Sequence, residues 1–304
     1  MTKVIFLFIS IFFILLAIFS GGFVVNLEQQ LLFALILIIV FGIPHGAIDN
    51  VIFLQQSKLS KWKFYLNYIG GVIINILSWI YFPEFAFMLF ILISAYHFGQ
   101  SQFSNYNFKG TQSKLLFISW GMALLLGMLS FNQLEIIEMT SQMSEFDRLS
   151  AFLSGSFLEI GFLAFFILTL FLLFRLVILK KLKIEQFLME VFVYSLAFAG
   201  FYVFPLLVGF TLYFVVLHSI KVLNEEYLFV SHFIKRNLSL SIFIKLLIPF
   251  TLISVFGLLG IYYLSQTALI QFPFGYSLLI MISSITLPHA FVMERFYTIS
   301  LPQN

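Results

Sequence analysis

Runs of about twenty apolar residues, separated by charges or turn residues, recur along the whole of this 304-residue chain and leave it little choice of fold. In hydrocarbon every backbone N–H and C=O must find its partner within the segment or a closed sheet, so runs of this length cross as α-helices. Ten windows qualify, at 4–25, 30–49, 64–83, 85–103, 114–131, 157–179, 186–204, 206–223, 242–265 and 275–294. At the division between the seventh and eighth only Pro205 and Gly209 punctuate a nearly continuous apolar stretch, and a single span of that length would overshoot the bilayer, so a tight hairpin is expected there. With 62% hydrophobic and 10% charged residues the composition excludes a soluble domain. The fold class expected is all-α, a polytopic transmembrane bundle of about ten helices forming one integral-membrane domain over 1–304. The run after Lys3 is long enough to span and no A-x-A-like site follows it, which favours a retained first helix over a cleaved signal.

Basic residues set the orientation. With the N-terminus cytoplasmic, Lys3, Lys58, Lys61, Lys63, Lys109, Lys114, Arg175, Lys180, Lys181, Lys183, Lys221, Lys235, Arg236, Lys245 and Arg295 all fall on the cytoplasmic side. Only Arg148 falls outside, in a loop with Glu135, Glu138, Glu145 and Asp147. The net charge of +3 is therefore a topology signal and implies no nucleic-acid partner. Both termini are expected in the cytoplasm, with the chain multi-pass in the inner (plasma) membrane. Residues 225–241 read as a short interfacial helix, with Tyr227, Leu228, Phe233, Ile234 and Leu238 toward lipid. His232 lies in it and reads as an ordinary interfacial histidine.

The other four histidines stand within the apolar runs: His45, His97, His218 and His289. An ionisable residue at membrane depth is costly and marks a functional site by default. On this topology all four lie on helices running from outside to inside, each about 12 to 15 residues from the outer end, or roughly 18 to 22 Å into a core of about 30 Å. One layer on four co-directional helices is what a single bundle-core site requires. A lone buried histidine is well explained by a bond to a backbone carbonyl; four at one depth point to a metal. Neutral imidazole suits iron, zinc, copper or nickel, and four ligands leave a position open for chemistry. The absence of cysteine rules out a disulfide framework, a thiolate site and a cysteine nucleophile.

Asp49 lies one turn beyond His45 and can accept an Nδ1–H from His45 or from another ligand, fixing its tautomer. Tyr96 and Glu294, with Asp49, are the residues expected to serve the chemistry beside the metal. Gln100, Gln102, Tyr213 and Ser219 are further candidates, although an interfacial position explains each of them and Tyr96 and Glu294 as well. Pro44 and Pro288 each precede a histidine, remove a backbone donor, and are expected to bend their helices where the ligand projects. The 43 phenylalanines and 13 tyrosines offer lining for a long conjugated ligand, but a lipid-facing surface accounts for most of them.

The segments PHGAID at 44–49, YHFGQ at 96–100, YFVVLHS at 213–219 and PHAFVMERFY at 288–297 resemble those of the Brp/Blh family, the integral-membrane β-carotene 15,15′-dioxygenases. That resemblance implies cleavage of the central double bond of β-carotene or a related carotenoid by O₂ at a histidine-bound Fe(II), yielding retinal. Carried over, His45, His97, His218 and His289 would hold the iron and Asp49 would support them. The substrate would arrive from the membrane lipids, and a retinal-binding rhodopsin would be a fitting acceptor of the product. In the family the third motif often continues HSxxH, whereas here the corresponding position is Val222. Two other readings of the histidines are a haem-ligating electron-transfer protein and a proton-coupled transporter using His45, Asp49 and Glu294. A two-metal desaturase would need about eight histidines, and there are five.

Overall fold

The computed structural model describes residues 2–20, 25–56, 60–106, 108–140, 153, 155–234, 238–265, 267 and 274–298. Lys58, Lys235, Arg236 and the acidic-loop residues Glu145, Asp147 and Arg148 lie outside them. Among the described residues every regular element is helical. The α-helices are α1 (Thr2–Phe19), α2 (Leu27–Leu37), α3 (Asp49–Gln56), α4 (Lys61–Tyr81), α5 (Pro83–Gln102), α6 (Thr111–Phe131) and α7 (Gln133–Thr140). They continue as α8 (Phe157–Ile178), α9 (Ile184–Val203), α10 (Leu206–Leu212), α11 (Ile220–Phe229), α12 (Leu240–Ser265) and α13 (Phe274–Thr298). Eight helical stretches among the described residues are long and apolar enough to cross a membrane, and they coincide with eight of the ten expected windows. The windows at 4–25 and 85–103 correspond to α1, a shorter apolar helix, and to α5, whose last turns carry His97, Gln100, Ser101 and Gln102. The chain is thus a helical polytopic membrane protein. Phe8, Phe12, Phe171, Phe256 and Phe291 stand exposed on outer faces, as a lipid-facing surface requires.

The chain divides into two compact units: Met1–Ile38 with Ser94–Ile220, and Ile39–Ile93 with Lys221–Asn304. In the first unit α6 packs along α8, and α1 lies on α9. The backbones of α5 and α6 come into direct contact. A Cβ at Gly99 would fall 2.0 Å from the Phe117 carbonyl oxygen, and one at Gly121 would fall 1.9 Å from that of Ala95. Ala95 and Gly99 make a small-xxx-small pair, the pattern that lets two helix backbones touch. Polar ties replace water at the helix ends. Buried Glu190 of α9 accepts from Lys3, from Gln102 Nε2 at 2.7 Å and from the Tyr106 hydroxyl, joining α1, α9 and the end of α5. Burial, and then the Glu190 charge, push the Tyr106 hydroxyl far above its ordinary pKa, so it stays a donor. The expected turn at Pro205 is present, and Glu135 caps it by accepting the Leu206 N–H and Gln30 Nε2, both at 2.7 Å.

The second unit is organised around α4 and α13. Phe64, Tyr68, Gly71, Asn75 and Trp79 recur at intervals of three and four and so form one stripe on α4. Gly71 is small enough that a Cβ there would sit 3.6 Å from Leu287 and 3.9 Å from Pro288. Further along, Asn75 Oδ1 accepts from Ser283 and Ser284 at 3.1 and 3.2 Å, and Trp79 Nε1 donates to Ser283 at 2.6 Å. Ile48, Ile52, Phe64, Val222, Phe229, Met293 and Phe296 close an apolar cluster over α3, α4, α11 and α13.

Two local expectations are corrected. The window at 30–49 is not one α-helix: α2 passes into a π turn at Ile38–Gly42 and a 3₁₀ turn at Ile43–Gly46, because Pro44 supplies no N–H to the ladder. Pro288 lies inside α13, which runs from Phe274 to Thr298. The segment after His218 is no separate interfacial helix, since α11 and a π turn at Val230–Ile234 prolong the same rod. Leu228 and Phe233 do face outward, but Leu238 is buried and its carbonyl accepts from the Tyr227 hydroxyl at 2.8 Å.

Candidate metal centre

His97 and His218 form a pair in the first unit, with ring centroids 4.9 Å apart at 82°. His97 is on the last turns of α5, held there by the Gly99–Gly121 approach of α5 to α6. His218 lies in a π turn, Tyr213–Ser219, which inserts an extra residue into the helical turn and so rotates the side chains beyond it. Both are buried, at 2% exposure. Aromatic rings wall off His218: Phe98 meets it edge-on at 4.8 Å, and Phe214 stacks on it at 5.6 Å.

His45 and His289 form the second pair, in the second unit, at 4.9 Å and 84°. His45 sits in the 3₁₀ turn, and its Nδ1 donates to the Gly42 carbonyl, the last residue of the π turn. His289 Nδ1 lies 2.9 and 3.1 Å from the two carboxylate oxygens of Asp49. A carboxylate and a carbonyl only accept, so in both rings Nδ1 carries a hydrogen and Nε2 is the nitrogen not engaged by that acceptor. Behind Asp49, the Tyr68 hydroxyl donates to Oδ2 at 3.0 Å. Gly46 makes room for the ring, since a Cβ there would come within 3.3 Å of His289 Nδ1.

Each unit thus brings two of the four intramembrane histidines together, and the second supports one of its pair with Asp49. Tyr96 turns its ring to Phe117 at 6.1 Å. Glu294 is half-buried on α13, five residues past His289 and about 140° around the helix from it. Gln102 is taken up by Glu190, and Tyr213 packs on Phe98 and Trp120. His232 is exposed, as an ordinary interfacial histidine should be. Tyr68 and the Gly42 carbonyl escaped the sequence reading. Tyr68 lies on another helix, 19 residues from Asp49, and no spacing rule links them.

The donors fit a first-row divalent metal. They are imidazoles, two of them with Nδ1 engaged by an acceptor, with a carboxylate supporting one and no thiolate to favour a softer ion.

The model of the family described as beta-carotene 15,15'-dioxygenase matches residues 36–297, which include all four histidines. A curated beta-carotene 15,15'-dioxygenase from an uncultured marine bacterium, 66A03, is 35% identical over 78 residues. That stretch is 23% of this chain and spans 28% of the relative's length. No solved structure matches the chain. On a family match covering most of its length, this chain belongs to the beta-carotene 15,15'-dioxygenase family.

Proposed function

We propose that this protein cleaves the central double bond of β-carotene, or of a related carotenoid, with O₂ to give two retinal-type aldehydes, using an Fe(II) held by His45, His97, His218 and His289. The observation that carries the reading is the pairing of all four histidines, buried and edge to face, within a chain of this family. The common depth of the four, read from the sequence, is the reason to assign both pairs to one metal. A histidine-bound Fe(II) with open positions supplies activation of dioxygen.

The rest is the work of the chain. Asp49 and the Gly42 carbonyl hold the Nδ1 hydrogens of His289 and His45, so that Nε2 is the nitrogen offered. Phe98 and Phe214 keep water from His218. A C40 polyene dissolves only in the bilayer, so an intramembrane site entered from the lipid is where it can be met. Selectivity for the middle bond then rests on apolar walls that centre the chain, which is positioning rather than chemistry. The aldehyde returns to the inner membrane, where a retinal-binding rhodopsin is a fitting acceptor. We assign no step to Tyr96 or Glu294.

The test is expression in a β-carotene-producing bacterium with chromatography of the pigment extract. Retinal at the expense of β-carotene is the expected result. An unchanged extract from cells holding folded, iron-loaded protein would reject the substrate, and a Soret band on the purified protein would reject the metal assignment in favour of haem.

A further inference from the structure

Asp49 can hold His289 only if its own carboxylate is held. The carboxylate torsion is broad, and so is that of the imidazole. Two soft rotors joined by one hydrogen bond can turn together, and the ring could then present either nitrogen. The structure supplies a third group. Tyr68 donates its hydroxyl to Oδ2 at 3.0 Å, while Oδ1 takes the His289 Nδ1–H at 2.9 Å. The carboxylate is thereby spanned between two donors on different helices, the phenol of α4 and the imidazole of α13.

The backbone carrying Tyr68 is itself fixed against α13. Gly71, one turn on and on the same face, lies beside Leu287 and Pro288, the residues just before His289. Two and three turns on, Asn75 and Trp79 bond to Ser283 and Ser284. The hydroxyl that reaches Asp49 therefore projects from a helix whose register on α13 is set by both polar and apolar contacts.

We propose that Tyr68 is a positioning residue for the metal site, acting through Asp49 to keep His289 in the Nδ1–H form with Nε2 toward the metal. This inference rests on the metal reading above. It assigns Tyr68 no contact with metal or substrate.

The experiment is equilibrium titration of the metal-stripped, purified full chain with Co(II), whose visible absorption reports ligand geometry. Wild type is compared with Tyr68→Phe, Asp49→Asn, the double variant, and Tyr65→Phe. The last removes a matched hydroxyl from the same helix, one that bonds to Asn50 at 3.0 Å and not to the His289 support. Tyr68→Phe should weaken binding about 3- to 10-fold, the worth of one net hydrogen bond, and Asp49→Asn about 10- to 100-fold. Because Tyr68 acts through Asp49, the double variant should bind like Asp49→Asn alone. Tyr65→Phe should leave both affinity and spectrum unchanged.

Unaltered affinity in Tyr68→Phe, or losses that multiply in the double variant, would overturn the proposal while leaving the metal site standing. So would a loss in Tyr65→Phe equal to that in Tyr68→Phe, which would mark a general effect on α4. Should wild type bind Co(II) no better than a His45→Ala/His289→Ala variant, the metal reading fails and this inference with it.

Discussion

Three neighbours determine the surroundings of His289: Asp49 fixes its Nδ1, His45 meets it edge-on, and Gly46 leaves it space. The four positions are nonetheless expected to behave alike when removed, because each removal takes one imidazole donor from the proposed metal. Single His45→Ala, His97→Ala, His218→Ala and His289→Ala variants should lose retinal formation and bound iron together, while His232→Ala keeps both. Metal analysis alongside pigment chromatography checks this, and any variant that keeps iron removes that residue from the ligand set. Val222 is the second residue of interest. It is fully buried in an apolar cluster, one turn beyond His218, where the family motif often carries histidine. If the wild type holds iron yet leaves β-carotene intact, Val222→His should restore cleavage.

At the scale of elements, the positions of the histidines follow from where helices are broken or pressed together. The π turn Ile38–Gly42 and the 3₁₀ turn Ile43–Gly46 end the α-helical ladder before His45 and hand its Nδ1 a carbonyl. His97 depends instead on a helix crossing with no room for a side chain. Gly121→Ala would drive a methyl into the Ala95 carbonyl, so α5 and α6 must separate, at a cost of about 1–3 kcal/mol for overpacking. Gly70→Ala is the control. It meets nothing within 4 Å on α4 and should stabilise by about 0.5–1 kcal/mol, because helical glycine loses more backbone freedom than alanine on folding. Thermal unfolding in detergent reads both. Only Gly121→Ala should also lower metal retention, and an equal effect from the two would mean that the crossing does not set His97.

For the molecule as a whole, the distribution of sixteen basic residues makes a topological claim that labelling can test. The chain lacks cysteine, so each introduced thiol reports alone. Leu134→Cys, at a strongly exposed position just after α6, should react with a membrane-impermeant maleimide in cells with a permeabilised outer membrane. Lys181→Cys, in the exposed turn after α8, should react only after the inner membrane is opened. The opposite pattern would invert the bundle and move the histidine layer to the outer half of the membrane.

The apolar windows alone determined that the chain is a membrane helix bundle, because hydrocarbon allows a spanning segment so few ways to satisfy its backbone. The position of each histidine along its window likewise made the four candidates for one site, since depth in a helix is a matter of counting. Side-chain pairing was not legible in the same way. The spacing of His45 and Asp49 left two partners open for the carboxylate, His45 along one helix face or another ligand; the first holds only for an unbroken α-helix, and Pro44 interrupts this one. The tertiary structure gave Asp49 to His289, 240 residues away, and left His45 to a carbonyl three residues back. Tyr68 was invisible for the same reason. Which side chains meet across helices depends on the rotation and register of each rod, set here by close glycines, serines and a π turn, and those are decided only when the helices pack.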